Sequence, residues 1–254
     1  MVKVGANVER YYATAQMVVA VERVTLQPLR TDFSPVGFAR RLEFEMRIEW
    51  TPGEDGGPGA ATLRRHLTKV HGRAPRANDK LGCSDPRSLS PDPLGMLLPH
   101  RSGDFVFTLV RMGQVGRRAA MMVDYRSITK GEIRSSWHDD CVSVELPGRS
   151  SGRLWIDPET GGVLRMDEHL VGKFDISVPF ENQRKGVAAR LTVERADTST
   201  RYEEVTFLNP KETLMMPLEV DTIQMIRGAG SGMRIHRVLT GFRRFATEGL
   251  LRGN

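Results

Sequence analysis

The chain has 254 residues, 39% of them hydrophobic, enough for one large domain (1–254) with a sizeable core. No run approaches the roughly 18 apolar residues of a membrane-crossing helix, and a chain in free solution is expected. Lysine and arginine outnumber aspartate and glutamate by 37 to 31, a net charge of +6. The excess is mostly arginine scattered along strands, which predicts a charged sheet surface rather than a nucleic-acid patch and leaves contact with an anionic membrane surface open.

The N-terminus, MVKVGANVERYY, lacks the basic, apolar and small-residue succession of a secretory leader, so Met1 reads either as a native start or as the start of a chain without its leader. From Asn7 to Val19, the positions Val8, Tyr11, Tyr12, Ala15, Val18 and Val19 follow helical spacing, which predicts an amphipathic helix in need of a sheet to lie on. A β-branched strand follows over Val18–Leu26, ended by Pro28 and the turn region Asp32–Gly37. Arg41–Trp50 has the clearest alternation: Leu42, Phe44, Met46, Ile48 and Trp50 on one face, Arg41, Glu43, Glu45, Arg47 and Glu49 on the other. That pattern is an antiparallel sheet, covered on one side and wet on the other. After the loop TPGEDGGPG, Ala61–Val70 is the return strand.

Residues 76–93 are polar and rich in Pro, Ser and Asp, a surface excursion that contains Cys83. SPDPLGMLLP then places Asp92 as an N-cap, Pro93 at the first helical position and Leu94, Met96, Leu97 and Leu98 behind them, a short greasy turn that must be buried. Next come strands over Asp104–Met112, with Phe105, Phe107 and Leu109 on one face, and Arg118–Arg126, with Ala119, Met121, Val123 and Tyr125 together. Gly131–Trp137, Cys141–Leu146, Lys173–Val178, Val187–Glu194, Arg201–Leu208, Leu214–Arg227 and Met233–Thr247 complete the set. The sharpest local signal is RLWIDPETGGVLRMDEHL, Arg153–Leu170: a hairpin turning at Asp157–Gly161, with Leu154 and Ile156 sharing one face and Leu164 and Met166 another. Short polar connections between strands predict a meander, and neither an internal repeat nor a βαβ alternation is present.

No catalytic signature emerges. Trp137-His138-Asp139-Asp140-Cys141 is the densest polar cluster, but neighbours on a strand point to opposite faces, so it reads as a turn. The remaining histidines have no metal-ligand spacing, GAGSG at 228–232 lacks the Lys-Ser/Thr of a phosphate loop, and no cofactor or metal is expected. Cys83 and Cys141 form one disulfide if the chain is exported and are free thiols if it is cytosolic. The remaining candidate is apolar. Phe44, Met46, Ile48 and Trp50, with Phe105, Phe107, Met121, Val123 and Tyr125, would form a trough around the segment of Leu94, Leu97 and Leu98. It reads either as ordinary core or as a cavity for an apolar chain.

The helix-first order, SPDPLGMLLP followed by DFVFTLV, and GRLWIDPETGGVLRMDEHLVGKFDI together resemble the bacterial lipoprotein-carrier superfamily, which includes the outer-membrane lipoprotein carrier and the sigma-regulatory periplasmic sensor domains. Roughly residues 5–247 follow that order, and TGFRRF at Thr240–Phe245 is similar to the last strand of uncharacterised bacterial domains. The resemblance implies a mainly β (α+β) fold, a single antiparallel sheet curved into an unclosed barrel, with the N-terminal helix and a short plug helix on its concave face. It further implies a non-enzymatic periplasmic binding protein, monomeric, whose partner is a lipid or lipidated protein. Two rivals remain at this stage: an envelope-sensor or protein-interaction module, and an enzyme on the same scaffold using His138, Asp140 and Cys141.

Overall fold

The computed structural model describes residues 2–14, 18–50, 61–79, 94–138, 141–183, 188–208, 211–229 and 232–244. Helix α1 (Val2–Thr14) leads into β1 (Val18–Leu29), β2 (Arg40–Trp50) and β3 (Ala61–Val70). The 3-10 turns Gly95–Leu97, here called the plug, and Ser102–Asp104 precede β4 (Phe105–Val115) and β5 (Arg118–Ser127). Then follow β6 (Arg134–His138), β7 (Cys141–Glu145), β8 (Ser150–Ile156), β9 (Val163–Leu170), β10 (Phe174–Ser177) and the one-turn helix α2 (Phe180–Gln183). The long strands β11 (Arg190–Leu208), β12 (Lys211–Arg227) and β13 (Gly232–Arg244) complete the fold.

All strands but β6 and β7 join one eleven-stranded sheet in the order β3-β2-β1-β13-β12-β11-β9-β8-β5-β4, with β10 also on β11; β6 and β7 make a separate hairpin. Every pairing is antiparallel. The fold is therefore mainly β, an antiparallel sheet as the alternation predicts and unclosed as the resemblance implies, with β3 and β4 as its two edges. The chain between Val70 and Phe105, which carries the plug, runs from one edge of the sheet to the other.

Directly opposed residues share a face, so the register traces one row across the sheet: Leu109, Val123, Leu154, Met166, Thr200, Val220, Arg237, Val24, Leu42 and Val70. Every member except Leu109, at the β4 edge, is buried. This is the inner face. The outer face is wet and carries the arginine surplus in cross-strand pairs: Glu43 takes Arg23 at 3.2 Å and Lys69 at 2.7 Å, and Asp221 takes Arg234. Exposed pairs of this kind contribute little each, about 0.2–1 kcal/mol.

Four sequence expectations need correction. The helix covers Val2–Thr14, not Asn7–Val19, because Val18 and Val19 pair with Arg244 and Arg243 of β13 and with Ile48 and Arg47 of β2. Tertiary pairing outweighs their fit to the helical spacing. Pro28 does not end β1: it opposes Met233, while β2 pairing stops at Leu26, and its carbonyl accepts the Val36 N–H instead. The missing proline N–H thus lies where no ladder bond is required. The two strands expected over 187–194 and 201–208 are one 19-residue strand, β11, whose polar middle ADTST continues the ladder to β12 and β9. In the Asp157 hairpin a bulge between Trp155 and Ile156 puts Val163 opposite Ile156, so Val163 rather than Leu164 joins Met166 on the inner face.

Candidate functional site: the inner face

The inner face divides into two halves. Over β5, β8, β9 and β11, one cluster gathers Val123, Tyr125, Leu154, Ile156, Val163, Met166 and Tyr202 with Val4 and Val8 of α1 and Leu94, Met96, Leu97 and Leu98 of the plug. Val4, Val8 and Tyr11 recur at i, i+4 and i+7, which puts them on one side of α1. Phe105, Phe107 and Met121 pack on the rim of the cluster, with Phe105 edge-on to Tyr125 at 6.3 Å between centroids. Leu94, Leu97, Leu98, Phe105, Phe107, Met121, Val123 and Tyr125 are thus brought together, as the sequence pattern expects.

Two contacts hold the covering pieces. Gly5 of α1 meets the plug so closely that a Cβ there would lie 3.0 Å from the Leu97 carbonyl oxygen. At the other side, the Asp157–Gly162 turn docks the helix: Asn7 Nδ2 donates to the Thr160 carbonyl at 2.6 Å, and Lys3 donates to the Glu159 carbonyl. The turn is built for this. Asp157 Oδ1 accepts the N–H groups of Glu159 and Thr160, both at 2.9 Å, while Oδ2 takes Arg118 at 2.9 Å. Burial raises the Asp157 carboxyl, but these donors outweigh it and hold the group below the usual carboxylate range. Gly161 has φ +74°, the left-handed conformation that favours glycine, and a Cβ there would lie 3.0 Å from Asn7 Nδ2.

A half-buried acid sits beside this cluster. The Tyr125 hydroxyl lies 3.3 Å from Glu168 Oε2, an approach allowed by Gly152, where a Cβ would meet the Tyr125 oxygen at 2.8 Å. Burial pushes the Glu168 carboxyl above its ordinary range, against the hydrogen bonds from Ser150 and Tyr125 and the charge of His169. Burial, helped by the Glu168 charge, also pushes the Tyr125 hydroxyl up. This is a polar anchor in the apolar wall, made of the Glu168 carboxyl and the hydroxyls of Tyr125 and Ser150.

Over β1, β2, β3 and β13 the face is buried through other clusters. Phe44 packs with Val24, Leu26, Leu42, Val70 and Ile235; Met46 and Ile48 pack with Ala20, Val220 and Leu239. Phe44, Met46 and Ile48 therefore do not converge on the plug, contrary to the trough expected from sequence, because five strands separate β2 from β8 in the sheet order. Trp50 opposes Ala61 at the end of β2. Between these clusters lies a trio that sequence reasoning missed: Glu22, fully buried, with Arg65 and Arg237. Arg65 binds Glu22 in two-pronged fashion, Nε to Oε2 at 2.6 Å and Nη2 to Oε1 at 3.2 Å, whereas Arg237 Nε stands 3.7 Å from Oε1. The signal was present: Ala20-Glu22-Val24, Leu63-Arg65-Leu67 and Ile235-Arg237-Leu239 each put a charge at an inward position of an apolar alternation.

Other expectations find their places as follows. His138 opposes Cys141 across the end of the β6–β7 hairpin, and Asp139 and Asp140 lie outside the described residues. Cys83, Asp92 and Pro93 also lie outside them. Among the described residues no three His, Cys, Asp or Glu side chains are grouped to hold a metal, and no described helix is long and apolar enough to cross a membrane.

No protein-family model and no curated protein matches the chain. Among solved structures it is similar to a LolA superfamily protein from Nitrosomonas europaea (TM-score 0.37, 10% identity, 96% of this chain and 92% of that one). It is also similar to an outer membrane lipoprotein-sorting protein domain from Vibrio parahaemolyticus (0.38, 10%, 97% and 92%) and to a DUF1329 family protein from Desulfovibrio piger (0.44, 9%, 97% and 93%). The lipoprotein-carrier superfamily named by the sequence motifs thus recurs among these likenesses. What the inner face does is argued from its own residues.

Proposed function

We propose that the protein is a non-enzymatic, exported binding protein that shields an apolar group, an acyl chain of a lipid or lipoprotein, on the inner face of its open sheet. The observation that supports this reading most is the plug. A short segment between the two sheet edges inserts Leu94, Met96, Leu97 and Leu98 into the inner face, where each is buried, yet its own regular structure is one 3-10 turn. It occupies the face as an acyl chain would, and with α1 it is a cover that a ligand replaces. Each methylene buried in exchange contributes about 0.8 kcal/mol, and Met96, Met121, Met166 and Met215 supply adaptable walls. On this reading the ligand faces Phe105, Phe107, Met121, Val123 and Tyr125 once Leu94, Leu97 and Leu98 move aside, with Phe44, Met46 and Ile48 along the far half. Native mass spectrometry after gentle purification, followed by lipid extraction, tests it: co-purified acyl chains are expected, and a protein that carries none and takes up none from lipid micelles contradicts it.

One observation favours a second reading. Strand β4 is a sheet edge with Val106, Leu109, Val110 and Met112 exposed along it. Such an edge suits strand addition by an extended segment of an envelope protein. A charge placed in the middle of the edge, Val110→Lys, would abolish partner binding on that reading and leave lipid uptake unchanged.

A further inference from the structure

The Glu22–Arg65–Arg237 trio is unbalanced. Two guanidinium groups share one carboxylate, and Arg65 takes both of its oxygens. Arg237 is left with an ion pair at 3.7 Å and no hydrogen bond among the described residues, although its side chain is only 5% exposed. A buried guanidinium N–H without a hydrogen bond is costly, and Arg237 Nε is such a group. The electrostatics agree: burial pushes Arg237 down to about 10, the nearby Arg65 charge adds to this, and Glu22 only partly opposes it.

The surroundings match an anionic head on an apolar body. Arg237 stands between Ile235 and Leu239 on β13 and opposite Val24 and Val220, all buried apolar side chains. Hydroxyls lie on the adjacent strands of the same face: Thr200 is in the same row, one strand beyond Val220, and Thr222, beside Val220, shares a hydrogen bond with Thr198 at 3.2 Å. Along that row Met166, in the cluster under the plug, is three strands from Arg237. At about 4.8 Å per strand this is roughly 14 Å, a span that an acyl chain lying across the strands covers.

We propose that Arg237 receives the oxyanion of an amphiphile, the carboxylate or phosphate at the end of an acyl chain, on the inner face of the sheet. This deepens the binding-protein reading and rests on it: the chain lies where the plug and α1 lie, and its charged end supplies the acceptor oxygens that Arg237 lacks. Glu22 and Arg65 keep their own pair, so the trio plus one bound anion is electrically neutral.

The test is titration calorimetry near pH 8, where a carboxylic head is ionised, with palmitate, hexadecanol and inorganic phosphate as probes against the full chain and Arg237→Met. A charge-assisted hydrogen bond predicts that the parent binds palmitate at least about tenfold more tightly than hexadecanol, and that Arg237→Met loses most of that preference while still binding hexadecanol. Equal affinity of the parent for palmitate and hexadecanol overturns the oxyanion assignment and leaves the apolar-ligand reading standing. Uptake of neither overturns both. Phosphate bound as tightly as palmitate assigns the site to a free ion and overturns the amphiphile. A second measurement distinguishes a merely structural arginine: the ligand-free Arg237→Met protein is expected to unfold at or above the parent's temperature, because it no longer buries a second positive charge against a single carboxylate. A large fall in that temperature would make Arg237 a structural ion pair and overturn the proposal.

Discussion

Two carboxylates on the inner face, Glu22 buried and Glu168 half-buried, behave in opposite ways, and their partners decide which. Glu22 is matched by two guanidinium groups, so Glu22→Gln leaves both arginines without a counter-charge; a loss of about 3–5 kcal/mol is expected in denaturant unfolding, the usual cost of breaking a buried pair. Glu168 has the neutral hydroxyls of Tyr125 and Ser150 and the charge of His169 beside it, and burial still raises its pKa. Between the ordinary glutamate value and that raised value the folded chain keeps a proton that the unfolded chain has released, so stability falls as pH rises through the window. Glu168→Gln should therefore melt above the parent near pH 7 and together with it at about pH 4, below the ordinary glutamate value. A melting difference that is the same at both pH values would show that Glu168 is not held protonated by its surroundings.

At the scale of elements, α1 and the plug are a cover held at a few points. The hairpin turn that is the sharpest local signal in the sequence proves to be the dock for α1, through Asn7, Lys3 and the left-handed Gly161. Gly161→Ala strains the turn and crowds Asn7; about 1 kcal/mol of stability is expected to go, and amide exchange should quicken in α1 before it quickens in β8 or β9. Exchange that rises equally in helix and strands would mean that the helix is not docked through this turn. This role was not legible from Asp157–Gly161 alone, since a turn sequence specifies its own backbone and not what rests on it. The ends of α1 and β1 were misjudged for a related reason: Val18 and Val19 satisfy a helical spacing, and only pairing with β2 and β13 from distant parts of the chain places them in a strand.

For the whole molecule, the alternation in Arg41–Trp50 and its neighbours was sufficient to predict a sheet with one buried and one charged face, because period-two patterning is a local property. Sheet order was not local. β1 pairs with β13 near the far end of the chain, and this separates Phe44, Met46 and Ile48 from the plug even though all of these residues were correctly placed on the buried face. The inward charges of Glu22, Arg65 and Arg237 were visible as breaks in three apolar alternations, and they became a site only when the register aligned those strands. On the binding-protein proposal, an open sheet with edges at β3 and β4, an apolar inner face, and a plug on the segment joining those edges make a container whose contents exchange. Hydrogen exchange of the full chain with and without saturating palmitate tests that claim most directly. The account predicts that protection falls at the plug amides of Leu97 and Leu98, which bond to Leu94 and Gly95, and in α1, while the strands of the sheet keep or gain protection; binding that leaves the plug and α1 unchanged would contradict it.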